Sequence, residues 1–190
     1  MQELKERIVT EGQVIGTEVL KVDSFLNHQI DPAFIMRMGE QLAARFAGDG
    51  ITKVLTVETS GIAVAMAAAL SLKVSVVFAK KKPAVTQQGS MYAAKVYSFT
   101  RQEAVHITVE SKYLDNSDVV LIIDDFLAHG EALNGLAAIV EQAGAHLAGA
   151  GIVIEKRFQG GGEKLRAQGV KIEALAAIER MEAGSIEFAE

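Results

Sequence analysis

The residues with the clearest capacity for chemistry are two adjacent carboxylates, Asp124 and Asp125, directly after the apolar run Val119-Val120-Leu121-Ile122-Ile123. The run reads as a strand, apolar on both faces and so central in a sheet, ending at the acid pair. A short turn with Gly130 follows. Apolar residues then recur at helical spacing (Leu133, Leu136, Ala137, Ile139, Val140, Ala143) until Gly144 closes the helix. In open α/β sheets, ligands bind outside the carboxyl ends of the strands. The helix start offers unpaired N–H groups and the positive end of its dipole, which suits a phosphate. Two carboxylates beside it suit sugar hydroxyls or a hydrated Mg²⁺. The combination fits a ligand that has a phosphate, vicinal hydroxyls and a bound magnesium. An Asp pair can also do no more than cap a helix.

Two other readings of this strand need motifs that are missing. A Walker-B strand needs a G-x-x-x-x-G-K-[ST] loop elsewhere, and the sequence contains none. A dinucleotide site needs G-x-G-x-x-G opening a helix, whereas Gly149-Ala150-Gly151 begins a strand. The absence of cysteine excludes disulfides, thiolate zinc sites and a cysteine nucleophile. His28, His106 and His146 lack metal-like spacing.

The elements that must position the acids follow from alternating β-branched and Ala/Leu-rich segments, which predict a parallel sheet flanked by helices. Strands are expected at 53–57, 74–79, 119–123, 149–154 and 170–175, and helices at 33–46 and 62–72. Glu58-Thr59-Ser60-Gly61 is a strand-to-helix turn. Residues 1–36 precede the sheet as an N-terminal appendage, punctuated by Asp31-Pro32. The stretch from about 80 to 106 breaks the pattern: a polar, mobile loop containing Lys80-Lys81-Lys82, then alternation suited to a hairpin at 93–99 and 105–110. With no internal repeat or linker, 1–190 reads as a single domain. The 190 residues carry 19 Lys plus Arg and 24 Asp plus Glu, a net charge of −5 that argues against a nucleic-acid-binding module. No apolar window is long enough for a membrane span, and the start Met1-Gln2-Glu3-Leu4-Lys5-Glu6-Arg7 lacks the apolar block of a signal peptide, so an intracellular, cytoplasmic protein is expected.

The segment from Val119 to Leu133 resembles the phosphoribosyl pyrophosphate (PRPP) signature of the type I phosphoribosyltransferases. Glu11-Gly12, the stretch from Val19 to Pro32, the Glu58–Gly61 turn, Phe78-Ala79-Lys80-Lys81 and Glu155-Lys156-Arg157-Phe158 narrow the resemblance to the bacterial xanthine-using branch of that family. The resemblance implies the type I fold, with a hood formed by the N-terminal residues. It implies transfer of 5-phosphoribosyl from PRPP to xanthine, giving XMP and pyrophosphate in purine salvage, with Mg²⁺ accompanying PRPP and a homodimer as the assembly.

By that resemblance Asp124 and Asp125 hold the ribose hydroxyls. Ala128, His129, Gly130, Glu131 and Ala132 wrap the 5′-phosphate. Glu58, Thr59, Ser60 and Gly61 form the pyrophosphate loop, helped by one lysine of the run, Lys81 being preferred. Ser90 and Tyr92 are candidates for loop closure. Leu20 and Asn27 contact the base and Lys156 its 6-oxo group, while Phe126 and Phe158 either stack on it or belong to the core. The loop departs from the commonest signature, having His129 and Ala132 where many relatives carry Thr. His129 is thus a phosphate donor or an exposed turn residue. Ala128 occupies the position at which the hypoxanthine–guanine branch carries an acid for the base's N7 proton. The alternatives are a PRPP-binding regulator of the same fold, or a transferase for hypoxanthine, guanine or orotate.

Overall fold

The structure, a computed structural model, describes residues 1–81, 89–98 and 103–189. In chain order, helix α1 (Gln2–Glu11) precedes a small antiparallel hairpin of β1 (Gln13–Ile15) and β2 (Val19–Lys21), a π-helical turn (Asp23–Asn27) and helix α2 (Pro32–Arg45). Next come β3 (Lys53–Val57), α3 (Ile62–Leu72) and β4 (Ser75–Ala79). An antiparallel pair, β5 (Met91–Ser98) and β6 (Glu103–Glu110), stands apart from the main sheet. The chain continues through β7 (Val119–Leu127), α4 (Glu131–Gln142), β8 (His146–Lys156), α5 (Gly161–Ala167), β9 (Ile172–Glu182) and β10 (Ser185–Phe188).

The main sheet has the order β10-β9-β8-β7-β3-β4. All its pairings are parallel except β10 with β9. The chain fills the sheet outwards on one side through β3 and β4 and on the other through β7, β8 and β9. The direction of winding therefore reverses between β3 and β7, the place where an open parallel sheet leaves a crevice for a ligand.

The period of two along β7 divides its apolar residues between two cores. Leu121 and Ile123 join the layer formed by α1, α2 and α3. Val120 and Ile122 join the layer formed by α4, α5 and the β5–β6 hairpin. Helix α2 begins where expected: Pro32 sits in its first turn, and Asp31 caps it by accepting the Phe34 N–H at 3.1 Å.

One expectation needs correction. The strand after Val119 does not end at Ile123. It runs on to Leu127, because β8 remains beside it as far as the Leu127–Glu155 pairing, while its ladder with β3 stops at Ile122. The acids thus lie within the strand, on a stretch paired on one side only. The hairpin expected in the second half of the 80–106 stretch is present and longer than expected: 91–98 pairs with 103–110, with Val96, Ile107 and Val109 buried against the second core. Lys82 and Phe99 lie outside the described residues.

Candidate active site

Beyond Ile122, alternation along β7 sends Asp124 and Asp125 to opposite sides of the sheet. Asp124 lines a small cavity of about 160 Å³ below the start of α4, walled by residues 127–132. Asp125 lines a larger cavity of about 710 Å³ beneath the N-terminal hood. A third, of about 280 Å³, holds both acids together with Glu58, Thr59, Ser60 and Lys81. Phe126 borders all three, so the acid pair is the seam of one continuous site.

The small cavity lies at the start of a helix, a place that suits an anion. Gly130 has φ 88°, a left-handed conformation that glycine reaches without strain, and it turns the strand into α4. The first-turn N–H groups of Glu131, Ala132 and Leu133 have no acceptor within the helix, and this cavity is lined by those residues and by His129. Glu131 places a carboxylate at its rim, an unusual neighbour for a phosphate.

Asp124 is buried, and burial together with the neighbouring Asp125 charge pushes its carboxyl well above the usual carboxylate range. Its Oδ1 accepts the backbone N–H of Asp125 at 3.0 Å. Gly61 is needed beside it for space: a Cβ there would come within 2.9 Å of Asp124 Oδ1 and 2.3 Å of Thr56 Oγ1. Glu58 offers no donor to an anion. Its Oε1 accepts the Lys81 backbone N–H at 2.7 Å and so holds that lysine at the cavity, where its charge acts on Asp124.

The hood brings the remaining predicted residues together. Leu20, buried in the β1–β2 hairpin, lines the large cavity with Asn27, Phe126 and Lys156. Asn27 Nδ2 donates to Asp125 Oδ2 at 2.5 Å, tying the hood to the sheet, while Asn27 Oδ1 is buried without a partner. Lys156 Nζ donates to the Glu18 carbonyl at 2.6 Å and sits 5.2 Å from the centre of the Phe126 ring. Burial lowers its pKa. Thus Phe126 is a wall of the site, whereas Phe158 is 39% exposed and does not border the cavity. Ser90 and Tyr92 lie elsewhere as well: Ser90 Oγ pairs with Ser111 Oγ at 3.0 Å, and Tyr92 packs beside the second core.

Several residues at or behind the site are not singled out by the sequence. Tyr97 of β5 borders all three cavities. Its signal was its place in the hairpin alternation, which a core reading explains equally well. Gln159 borders the large cavity. Arg7 lies under the hood turn, with its guanidinium 4.6 Å and 4.7 Å from the Phe25 and Phe34 rings and its Nη1 2.8 Å from Asp31. It thereby fixes the turn that presents Asn27.

Residues 21–173 match the family model of the phosphoribosyl transferase domain. The chain is 71% identical to a protein of Heliobacterium modesticaldum named xanthine phosphoribosyltransferase, over 100% of both chains. A protein of the same name from Moorella thermoacetica is 60% identical over 97% of this chain and 94% of its own. Among solved structures, the APRTase of Giardia lamblia complexed with 9-deazaadenine aligns with a TM-score of 0.75 at 22% identity, over 92% of this chain and 97% of that one. The adenine phosphoribosyltransferase of Rhodothermus marinus gives 0.75 at 21% identity, over 94% and 100%. At that distance the structural likeness speaks for the fold.

Proposed function

The chain belongs to the phosphoribosyltransferase family, and we propose that it transfers 5-phosphoribosyl from PRPP to xanthine, releasing XMP and pyrophosphate. The observation that carries the reading is the carboxylate pair on one strand, facing a cavity at the start of a helix on one side and a hooded cavity with a buried cation on the other. The name shared by relatives at 60% and 71% identity supports the choice of base.

The placement of these residues supports the following roles. The Glu131–Leu133 N–H groups and His129 take the 5′-phosphate, which seats the ribose over Asp124 and Asp125. The two carboxylates accept its hydroxyls and lie where positive charge develops as the bond from C1 to pyrophosphate breaks. Thr59, Ser60 and Lys81 face the pyrophosphate from across the crevice. Leu20 and Phe126 sandwich the base, Asn27 meets its edge, and Lys156 donates to the 6-oxo oxygen. A ring nitrogen of the base, its proton lost to solvent, then bonds to C1 as pyrophosphate departs with the electron pair of the C1–O bond. Holding both reactants in this geometry and excluding water is the main contribution asked of the protein.

Mg²⁺ with PRPP belongs to the same proposal. The hard oxygens of Asp124 and Asp125 suit it, but the described residues contain no cluster of three or more His, Asp or Glu groups able to hold a metal. With PRPP bound, Asp124 and Asp125 together with the diphosphate oxygens would hold the ion. Its chemistry there is to neutralise the leaving group. A homodimer and a cytoplasmic location complete the reading. Met66 and Leu70, 61% and 66% exposed on α3, are consistent with a contact between copies. No helix among the described residues is long and apolar enough to cross a membrane.

The test is nucleotide formation from PRPP and a panel of xanthine, hypoxanthine, guanine, adenine and orotate, with and without Mg²⁺. XMP should form fastest, and only with the metal. No XMP at saturating PRPP and Mg²⁺ would overturn the reading, and light scattering of the same sample tests the dimer.

A further inference from the structure

Lys156 is the last residue of β8, and Arg157–Gln159 forms a turn of 3₁₀ helix directly after it. Lys156 and Gln159 both line the hood cavity, while Arg157 and Phe158 between them are exposed. Gln159 Oε1 is buried and has no hydrogen-bond partner. An amide oxygen shut away from water and unpaired is costly, and an arriving donor removes that cost. The terminal torsion of glutamine is soft, so the amide can turn its oxygen to the cavity.

The neighbouring cation indicates which donor. On the oxopurine reading given above, Lys156 takes the 6-oxo oxygen. The next atom around the ring is N1, which carries a hydrogen in every 6-oxopurine and a bare lone pair in adenine. A donor at Lys156 followed by an acceptor at Gln159 complements an oxygen followed by an N–H. We propose that Gln159 accepts the N1–H of the base and is a specificity-determining residue of this site. The assignment rests on the phosphoribosyl-transfer reading and extends it by one contact.

The test compares xanthine with 1-methylxanthine, which lacks the N1 donor, in the wild type and in Gln159→Met, which keeps the side-chain length without the acceptor. The wild type should use xanthine and strongly reject 1-methylxanthine. Gln159→Met should lose roughly tenfold to a hundredfold in kcat/KM for xanthine. Its KM for PRPP should stay unchanged, and the gap between the two bases should narrow by a similar factor. Gln159→Ala is the second variant, and it should tolerate the methyl group better still. Equal losses on both bases would show a structural role and overturn the assignment, as would unchanged use of xanthine. A wild type inert towards xanthine and PRPP would overturn the reading of the whole site, an outcome distinct from either.

Discussion

Replacing Lys156 by Met keeps most of the aliphatic stem and removes the cation. In the free protein the ammonium donates at 2.6 Å to the Glu18 carbonyl and lies 5.2 Å from the Phe126 ring centre. Glu18 is exposed, so water can replace the lost donor and the fold should tolerate the change. The cost falls on the base. A hydrogen bond from a charged donor contributes about 1.5–3 kcal/mol, and each ~1.4 kcal/mol is tenfold in rate. The expected loss is therefore about ten- to 150-fold in kcat/KM for xanthine, with PRPP binding by calorimetry unchanged. The pH dependence gives a second readout. Burial lowers the Lys156 pKa, so the cation is lost at lower pH than an ordinary lysine would lose it. The ratio of wild-type to variant kcat/KM should consequently shrink as pH rises towards 10. Linkage gives stability the opposite slope. The unfolded chain holds this proton more tightly, so the wild type gains stability relative to the variant as pH rises from the lowered folded value to the ordinary lysine range. Collapse of PRPP binding in the variant, or a large activity ratio that ignores pH, would refute the reasoning.

Asp125→Asn should weaken PRPP use roughly ten- to a hundredfold, from the loss of a charge-assisted hydrogen bond worth about 1.5–3 kcal/mol, with circular dichroism unchanged; an unaltered dependence of rate on PRPP would contradict the role. Asp124→Asn should raise the melting temperature at neutral pH while lowering turnover. The folded carboxyl binds its proton more tightly than the unfolded chain does, so its ionisation costs stability as pH rises, and the amide removes that cost. Thermal scans at pH 5 and pH 8 should show the gain at the higher pH. Ala128→Asp, which puts an acid where both the hood cavity and the phosphate cradle can feel it, should narrow the preference for xanthine over hypoxanthine. General acid–base help is worth about 10²–10⁴-fold, so a ratio of kcat/KM values for the two bases that Ala128→Asp leaves unmoved from pH 6 to pH 9, in a folded, PRPP-binding variant, would place selectivity in the Asn27 and Lys156 contacts.

What was legible in the sequence is what local chemistry dictates. The apolar run into Asp124-Asp125, the turning Gly130 and the helix after it occupy consecutive residues, and the pleat and the helical repeat fix their relation without outside help. The Asp31-Pro32 start of α2 is legible for the same reason. The true length of β7 was not, because it depends on where two different neighbours stop: β3 at Ile122, and β8 only at Leu127. Gln159 and Tyr97 were missed because their types occur everywhere on protein surfaces and in cores. Only the return of β8 and the hairpin to the same crevice gives them a ligand to face. Glu18 could not have been found at all, since it contributes a backbone carbonyl. Ser90 and Tyr92 stand beside the polar stretch in the sequence, yet the hairpin register pairs Tyr92 with Val109, away from the acids.

The 2.5 Å bond from Asn27 to Asp125 makes the two substrate positions thermodynamic neighbours. On the site assignment proposed above, a ribose hydroxyl would compete for the carboxylate oxygen that the amide now occupies. The sugar can displace that amide only by changing how Asn27 meets a purine, so affinity at one position carries a coupling free energy to the other. That coupling is reciprocal: whatever factor PRPP applies to the binding of the base, the base applies to the binding of PRPP. Shortening Asn27 to alanine would cut the link, and the two binding isotherms would become independent.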